Sequence, residues 1–246
     1  MAVLLTKRLS KDTVQYGLTI QVGLSGFSFK VRDRKGNLLH HETVQYPHRV
    51  YSLMDVELPL KKAVLSHPLL RQPYGSIKVY LDTEKHTLVP VDAAQPELPQ
   101  LQTLFDIHEH DEVNHLPVPE SEAALLYALP AAVTSLRNRL NSEQFEFYPV
   151  IAGLLQDVAH VSDHNRVLCA YDGNFVHVVA SEGGALRMAV SYPVADFETA
   201  CYYLFAVMRE VMFNPGLTTL RYYGPLSENR ETLLKRYFSG VQRCEL

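Results

Sequence analysis

Ten residues, DIHEHDEVNH from Asp106 to His115, gather the densest set of potential metal ligands in the chain. The imidazoles of His108, His110 and His115 stand beside the carboxylates of Glu109, Asp111 and Glu112, and such a mixture suits a borderline divalent cation. An extended backbone would put His108 and His110 on one side. The spacing matches no zinc signature, however, and acidic loops carrying histidine are ordinary solvated surface, so we read no metal site here. His160 and His164 flank Asp163 at a spacing that a helix would align, but the Glu of a zincin-type pair is missing. Nucleophilic chemistry has no motif either: no G-x-S-x-G elbow, P-loop or G-x-G-x-x-G stands between a strand and a helix. Cys169, Cys201 and Cys244 are far apart, odd in number and in apolar company, which reads as reduced thiols of a cytoplasmic protein.

The remaining candidates are turn residues, and their setting comes from the strands around them. Arg166 to Tyr171, Phe175 to Ala180 and Ala185 to Tyr192 are rich in β-branched and aromatic residues and are separated by Asp172-Gly173 and Gly183-Gly184. Glycine supplies the positive φ that tight turns between twisted strands need, so this is a three-stranded meander. A near-copy runs from Gly17 to Pro47, with strands at Gly17 to Gly23, Phe27 to Asp33 and Asn37 to Val44. Gly26 and Gly36 precede Gly173 and Gly183 by the same 147 residues, and both copies close on Tyr-Pro.

Between and after the meanders the periodicity changes. Ser52 caps a helix reaching to about Leu70, with Leu53, Val56, Leu60 and Val64 on one side. Ser76 to Leu81 alternates as a strand, and Lys85 to Val91 is expected as its hairpin partner in the first sheet. Asp92 to Pro119 is a Pro-, acid- and His-bearing excursion with a helical turn or two near Leu98 to Phe105. Ala123 to Leu129 is a strand or a helix start. Pro130 to Leu140 reads as helix, Phe145 to Tyr148 as strand and Val150 to Ala159 as apolar helix. Asp196 caps a helix to about Phe213 that is apolar on nearly every side; Thr218 to Tyr223 is a strand, Ser227 to Phe238 a helix and Val241 to Leu246 an edge strand.

Composition limits the function classes. The chain has 246 residues, 47% hydrophobic and 20% charged, as expected of a soluble globular protein. A net charge of −4 leaves no electrostatic footprint for nucleic acid. MAVLLTKRLSKD has too short an apolar run for a signal peptide, and no stretch is long enough for a membrane span.

The duplicated meander followed by helices and further strands resembles the actin-like ATPase fold of sugar kinases, Hsp70-type ATPase domains, actin and pilus-assembly relatives. GLTIQVGLSGFSFKVRDRKGNLL, the Ile77 to Pro90 segment and the ending LRYYGP are similar to a bacterial family that carries this fold without an established activity. The resemblance implies an α/β architecture with α+β character: two ribonuclease-H-like domains, 1–161 with an insertion near 92–119 and 162–246, facing each other across an interdomain cleft. It also implies a vestigial nucleotide site at Gly23, Ser25, Gly26, Asp172, Gly173 and Gly224.

The departures carry the functional expectation. Active members place an Asp in the first strand to hold hydrated Mg²⁺, where this chain has Gln21, and an amide brings no charge. The second phosphate turn shortens to Asp172-Gly173-Asn174, and Pro225 after Gly224 removes a backbone donor from the adenosine-side turn. Geometry alone accounts for Gly26, Asp172 and Gly173 as turn residues. The reading is a catalytically degenerate, non-enzymatic scaffold, adaptor or receptor for an unidentified protein or small ligand, with no cofactor and no metal. The alternative is a nucleotide-dependent ATPase or kinase-like switch that retains ATP and Mg²⁺, with Asp172 as its remaining carboxylate.

Overall fold

The computed structural model describes residues 13–48, 50–93, 102–139 and 145–246. The first meander forms as β1 (Gly17–Val22), β2 (Gly26–Arg32) and β3 (Leu38–Gln45). β4 (Ser76–Leu81) joins parallel to β1, and β8 (Phe145–Pro149) completes a five-stranded sheet in the order β3-β2-β1-β4-β8. Alternation sets its core face. Leu18, Ile20 and Val22 lie opposite Val31, Phe29 and Phe27 on one side and Ile77, Val79 and Leu81 on the other, and all nine are buried. Ser52 caps a 3-10 turn (Leu53–Val56) that runs into α1 (Glu57–Ser66); Val56, Leu60 and Val64 are buried as the periodicity requires. His67, just after α1, packs edge-on against Phe29 with ring centres 4.9 Å apart.

The second meander repeats the plan as β9 (Asn165–Tyr171), β10 (Phe175–Glu182) and β11 (Ala185–Pro193). β12 (Thr219–Tyr223) lies parallel to β9, and β13 (Gly240–Cys244) lies parallel to β12, giving the order β11-β10-β9-β12-β13. Counted within each sheet, both therefore run third, second, first, fourth, fifth. One face of this sheet, through Val167, Cys169, Val176 and Val178, packs with α5 (Phe197–Glu210) and α6 (Glu228–Lys235). α4 (Val150–Ala159) packs on β9 and β10.

Three expectations change. β5 (His86–Pro90) does not pair with β4; it forms a separate sheet, order β5-β7-β6, with β6 (Asp111–Pro117) and β7 (Ala123–Pro130). Its register sets His86 opposite Tyr127, and Leu126 and Ala128 make a small core with Val89, Phe105, Ile107 and Val113. The stretch after Pro130 is two single turns, α2 (Ala131–Thr134) and α3 (Leu136–Arg139), interrupted at Ser135. α5 is buried along one face only, through Phe197, Ala200, Leu204, Val207 and Met208, while Tyr202 is exposed. The lead-in before residue 13 and most of the helical turn expected near Leu98 lie outside the described residues.

The chain divides into two compact units: 1–82 with 108–112 and 129–148, and 83–107 with 113–128 and 149–246. The first holds the β1 sheet; the second holds the β9 sheet and most of the β5 sheet. No helix among the described residues is long and apolar enough to cross a membrane.

Candidate functional site

In the first unit the β1–β2 turn is closed by the Gly23 amide, which donates to the Gly26 carbonyl at 3.0 Å. The Ser25 carbonyl accepts from the Tyr46 amide at 3.1 Å, which ties the turn to the end of β3. Gly26 is fixed by crowding: a Cβ there would lie 2.2 Å from the Val44 carbonyl oxygen. Gln21 stands in the ladder beside Ser28 and Tyr80, on the face opposite the Leu18–Ile20–Val22 row.

The corresponding turn of the second unit is Asp172-Gly173-Asn174. Gly173 has φ +110°, and Asp172 Oδ1 accepts the amides of Asn174 and Phe175, both at 2.8 Å. That is an Asx turn, in which the carboxylate satisfies its own loop. Gly224, at the end of β12, has φ +108°, and a Cβ there would sit 2.3 Å from the Tyr171 carbonyl oxygen. The fold thus brings Asp172, Gly173 and Gly224 to one edge of the β9 sheet, beyond the carboxyl ends of the parallel strands β9 and β12, where open α/β sheets bind ligands. Arg230, whose amide faces the α6 cap Ser227, lies over the rings of Phe197 at 4.7 Å and Tyr171 at 5.7 Å. The glycine spacing misaligns the two turns by two residues. The last ladder pairs, Val22 with Phe27 and Tyr171 with Val176, are separated by 149 residues, so Gly23 matches Asp172 and Gly26 matches Phe175.

Two groups of polar residues carried no sequence signal. Asp82 follows β4, is 1% exposed, and donates its amide to Val22 at 3.1 Å, so its carboxyl group belongs to the same edge as the β1–β2 turn. Tyr46 stands there too, its hydroxyl pushed up first by burial and then by the Asp82 charge. In the second unit Ser191 Oγ lies 2.6 Å from His86 Nε2 and 2.6 Å from His177 Nδ1. His177 and Ser191 face each other across β10 and β11, while His86 arrives from β5. Burial holds both imidazoles neutral, with His86 pushed down to about 3, helped by His177, and His177 down to about 4 against the opposing pull of Asp172 and Glu84. One hydroxyl hydrogen cannot serve both rings, so one imidazole donates N–H to Ser191 Oγ and the other accepts its O–H.

The histidine-rich stretch is extended only in its second half, from Asp111 to His115 in β6, so His108 and His110 do not share a strand face. His108 to Asp111 is a turn, with the His108 amide on Asp111 Oδ2 at 3.1 Å and the Asp111 amide on the His108 carbonyl at 2.9 Å, and β6 begins at Asp111. His160 ends α4, and His164 lies beyond the helix, so the two do not align. Asp163 is instead paired with Arg221 at 2.6 Å. Among the described residues no group of three His, Cys, Asp or Glu is placed to hold a metal ion. The three cysteines are free; Cys169 is buried, its thiol pushed up by burial, and burial also raises Cys201 to about 11.

Comparison with known proteins places this geometry in a fold. A Bacteroides thetaiotaomicron protein with actin-like ATPase fold and unknown function superposes with a TM-score of 0.75 at 19% identity, over 96% of this chain and 93% of that one. The type IV pilus biogenesis complex PilM–PilN contains a chain that superposes with a TM-score of 0.53 at 13% identity, over 94% of this chain and 88% of that one. No curated protein matches by sequence. The chain has the actin-like ATPase fold, and because the model described as a protein of unknown function (DUF3822) matches residues 7–241, it belongs to that family.

Proposed function

We propose that this protein is a binding module, a scaffold or adaptor whose nucleotide site is degenerate, and that it works in the cytoplasm. The observation that carries the reading is the Asp172 turn. Asp172 Oδ1 accepts two amides of its own loop and so holds that loop, whereas phosphoryl transfer depends on carboxylates and amides poised toward metal and phosphate. Gln21 removes the charge expected from β1, and the Gly23 amide is bonded within its turn. The fold accommodates a protein-binding role in PilM, solved as a complex with PilN.

The alternative, a nucleotide-dependent ATPase or kinase-like switch, has one observation in its favour. Asp82 puts a buried carboxyl group at the carboxyl end of β4, beside the first turn, where Gln21 cannot supply one. Thermal denaturation with millimolar ATP and Mg²⁺ separates the two. A ligand at about 100 times its Kd adds about 2.7 kcal/mol of stability, a clear rise in Tm. No rise and no hydrolysis are the expected results; a rise with turnover that Asp172→Asn or Asp82→Asn abolishes would establish the switch.

A further inference from the structure

α1 buries Val56, Leu60 and Val64 with its approach turn, yet its opposite side is also apolar. Tyr51 is 74% exposed, Met54 43%, Leu58 59% and Leu65 49%. Leu58 and Leu65 are two helical turns apart, and Lys61 and Lys62 fall between them on the same side, while Met54 belongs to the 3-10 turn that precedes the helix. Neither lysine has an ion pair among the described residues. The acidic residues of the segment, Asp55 and Glu57, sit at the helix start, where they complement the helix dipole.

We propose that this outer stripe of α1 docks an acidic amphipathic helix of a partner protein. The reading rests on the binding-module function above and gives the partner its chemistry. Leucines at i and i+7 present the ridge that a partner helix packs along, and two lysines between them, without an ion pair among the described residues, call for carboxylates at the matching positions. A second copy of this chain fits poorly, because two-fold pairing about the middle of the stripe sets Lys61 and Lys62 against themselves. An anionic membrane fits poorly as well: four apolar side chains and two lysines make a small anchor on a chain of net charge −4.

The test titrates the full chain with two synthetic three-heptad helices sharing a leucine face, one flanked by Glu and the other by Lys. The Glu peptide should bind roughly tenfold more tightly or better, and Lys61→Glu with Lys62→Glu should reverse the preference. Leu58→Asp with Leu65→Asp should abolish binding of either peptide while leaving Tm near that of the parent, since both side chains are exposed. Equal binding of the two peptides, or binding of neither, overturns the proposal. Adsorption to phosphatidylglycerol vesicles without peptide binding overturns it in favour of a membrane, and a sedimenting dimer lost in the Leu58→Asp variant overturns it in favour of self-pairing. ATP with Mg²⁺ in the same assay keeps the two readings apart: peptide failure without an ATP response removes the stripe alone, whereas ATP turnover removes the binding-module reading.

Discussion

Acid should loosen the second unit through His86 and His177. An unfolded imidazole titrates near 6.5, whereas the folded groups stay neutral down to about 3 and about 4. The unfolded chain therefore binds more protons at mildly acidic pH, and the stability present above pH 6.5 is lost progressively as pH falls toward the folded values. At pH 5 an unfolded imidazole is about 97% protonated and the folded ones remain mostly neutral, which costs about 2 kcal/mol per histidine relative to pH 8. The pair should cost about 4 kcal/mol, a large fraction of the stability of an ordinary domain. Guanidinium unfolding at pH 8, 7, 6 and 5 measures it, and His86→Gln should flatten the dependence by about half because one titrating group has gone. The charges of Asp172 and Glu84 pull His177 the other way without outweighing its burial. Equal slopes for the parent and His86→Gln would refute the argument, since the buried ring would then be exchanging protons with solvent as freely as an unfolded one.

Other outcomes follow from crowding and from the turns. Gly26→Ala should cost about 3 kcal/mol or more, read as a lower Tm, because the new Cβ would meet Val44 O at 2.2 Å and the β2–β3 backbones must part. Gly224→Ala should cost a similar amount, about 3 kcal/mol, since close approach to Tyr171 combines with a positive φ. Asp172→Ala should lose about 2 kcal/mol with its two turn bonds, while Asp172→Asn, which keeps an acceptor oxygen, should stay within about 1 kcal/mol of the parent in chemical denaturation. A large loss from Asp172→Asn would mean that the charge, and not the turn, is what the position supplies.

The parts of the fold legible in the sequence are those written locally. Glycine turns and alternating apolar residues place β1 to β3 and β9 to β11, and caps at Ser52, Asp196 and Ser227 start their helices where expected. Pairing between distant strands has no such local signature. β5 follows β4 closely and reads as its hairpin partner, but its partner is β7, whose apolar run could equally have opened a helix. The equivalence of the two β turns was hidden for a related reason, since glycine marks where a backbone is crowded or left-handed, and that need falls at different places in the two loops. Asp82 looks like any residue after a strand until its burial is known. His86 and Ser191 stand 105 residues apart, so their contact exists only once the third sheet has packed.

The strand order of the β1 sheet has a kinetic consequence. Its fifth strand, β8, comes roughly sixty residues after β4, whereas β13 follows β12 after about sixteen. Loop closure grows only with the logarithm of length, so the longer excursion costs about 1 kcal/mol more at equilibrium, which explains how the fold can host an extra sheet there. Rate is another matter, because pairings between residues far apart in sequence form late. During synthesis the β1–β4 edge therefore waits, open and able to pair with another chain, until β8 has emerged, and this interval is when the protein is most exposed to association through its first sheet.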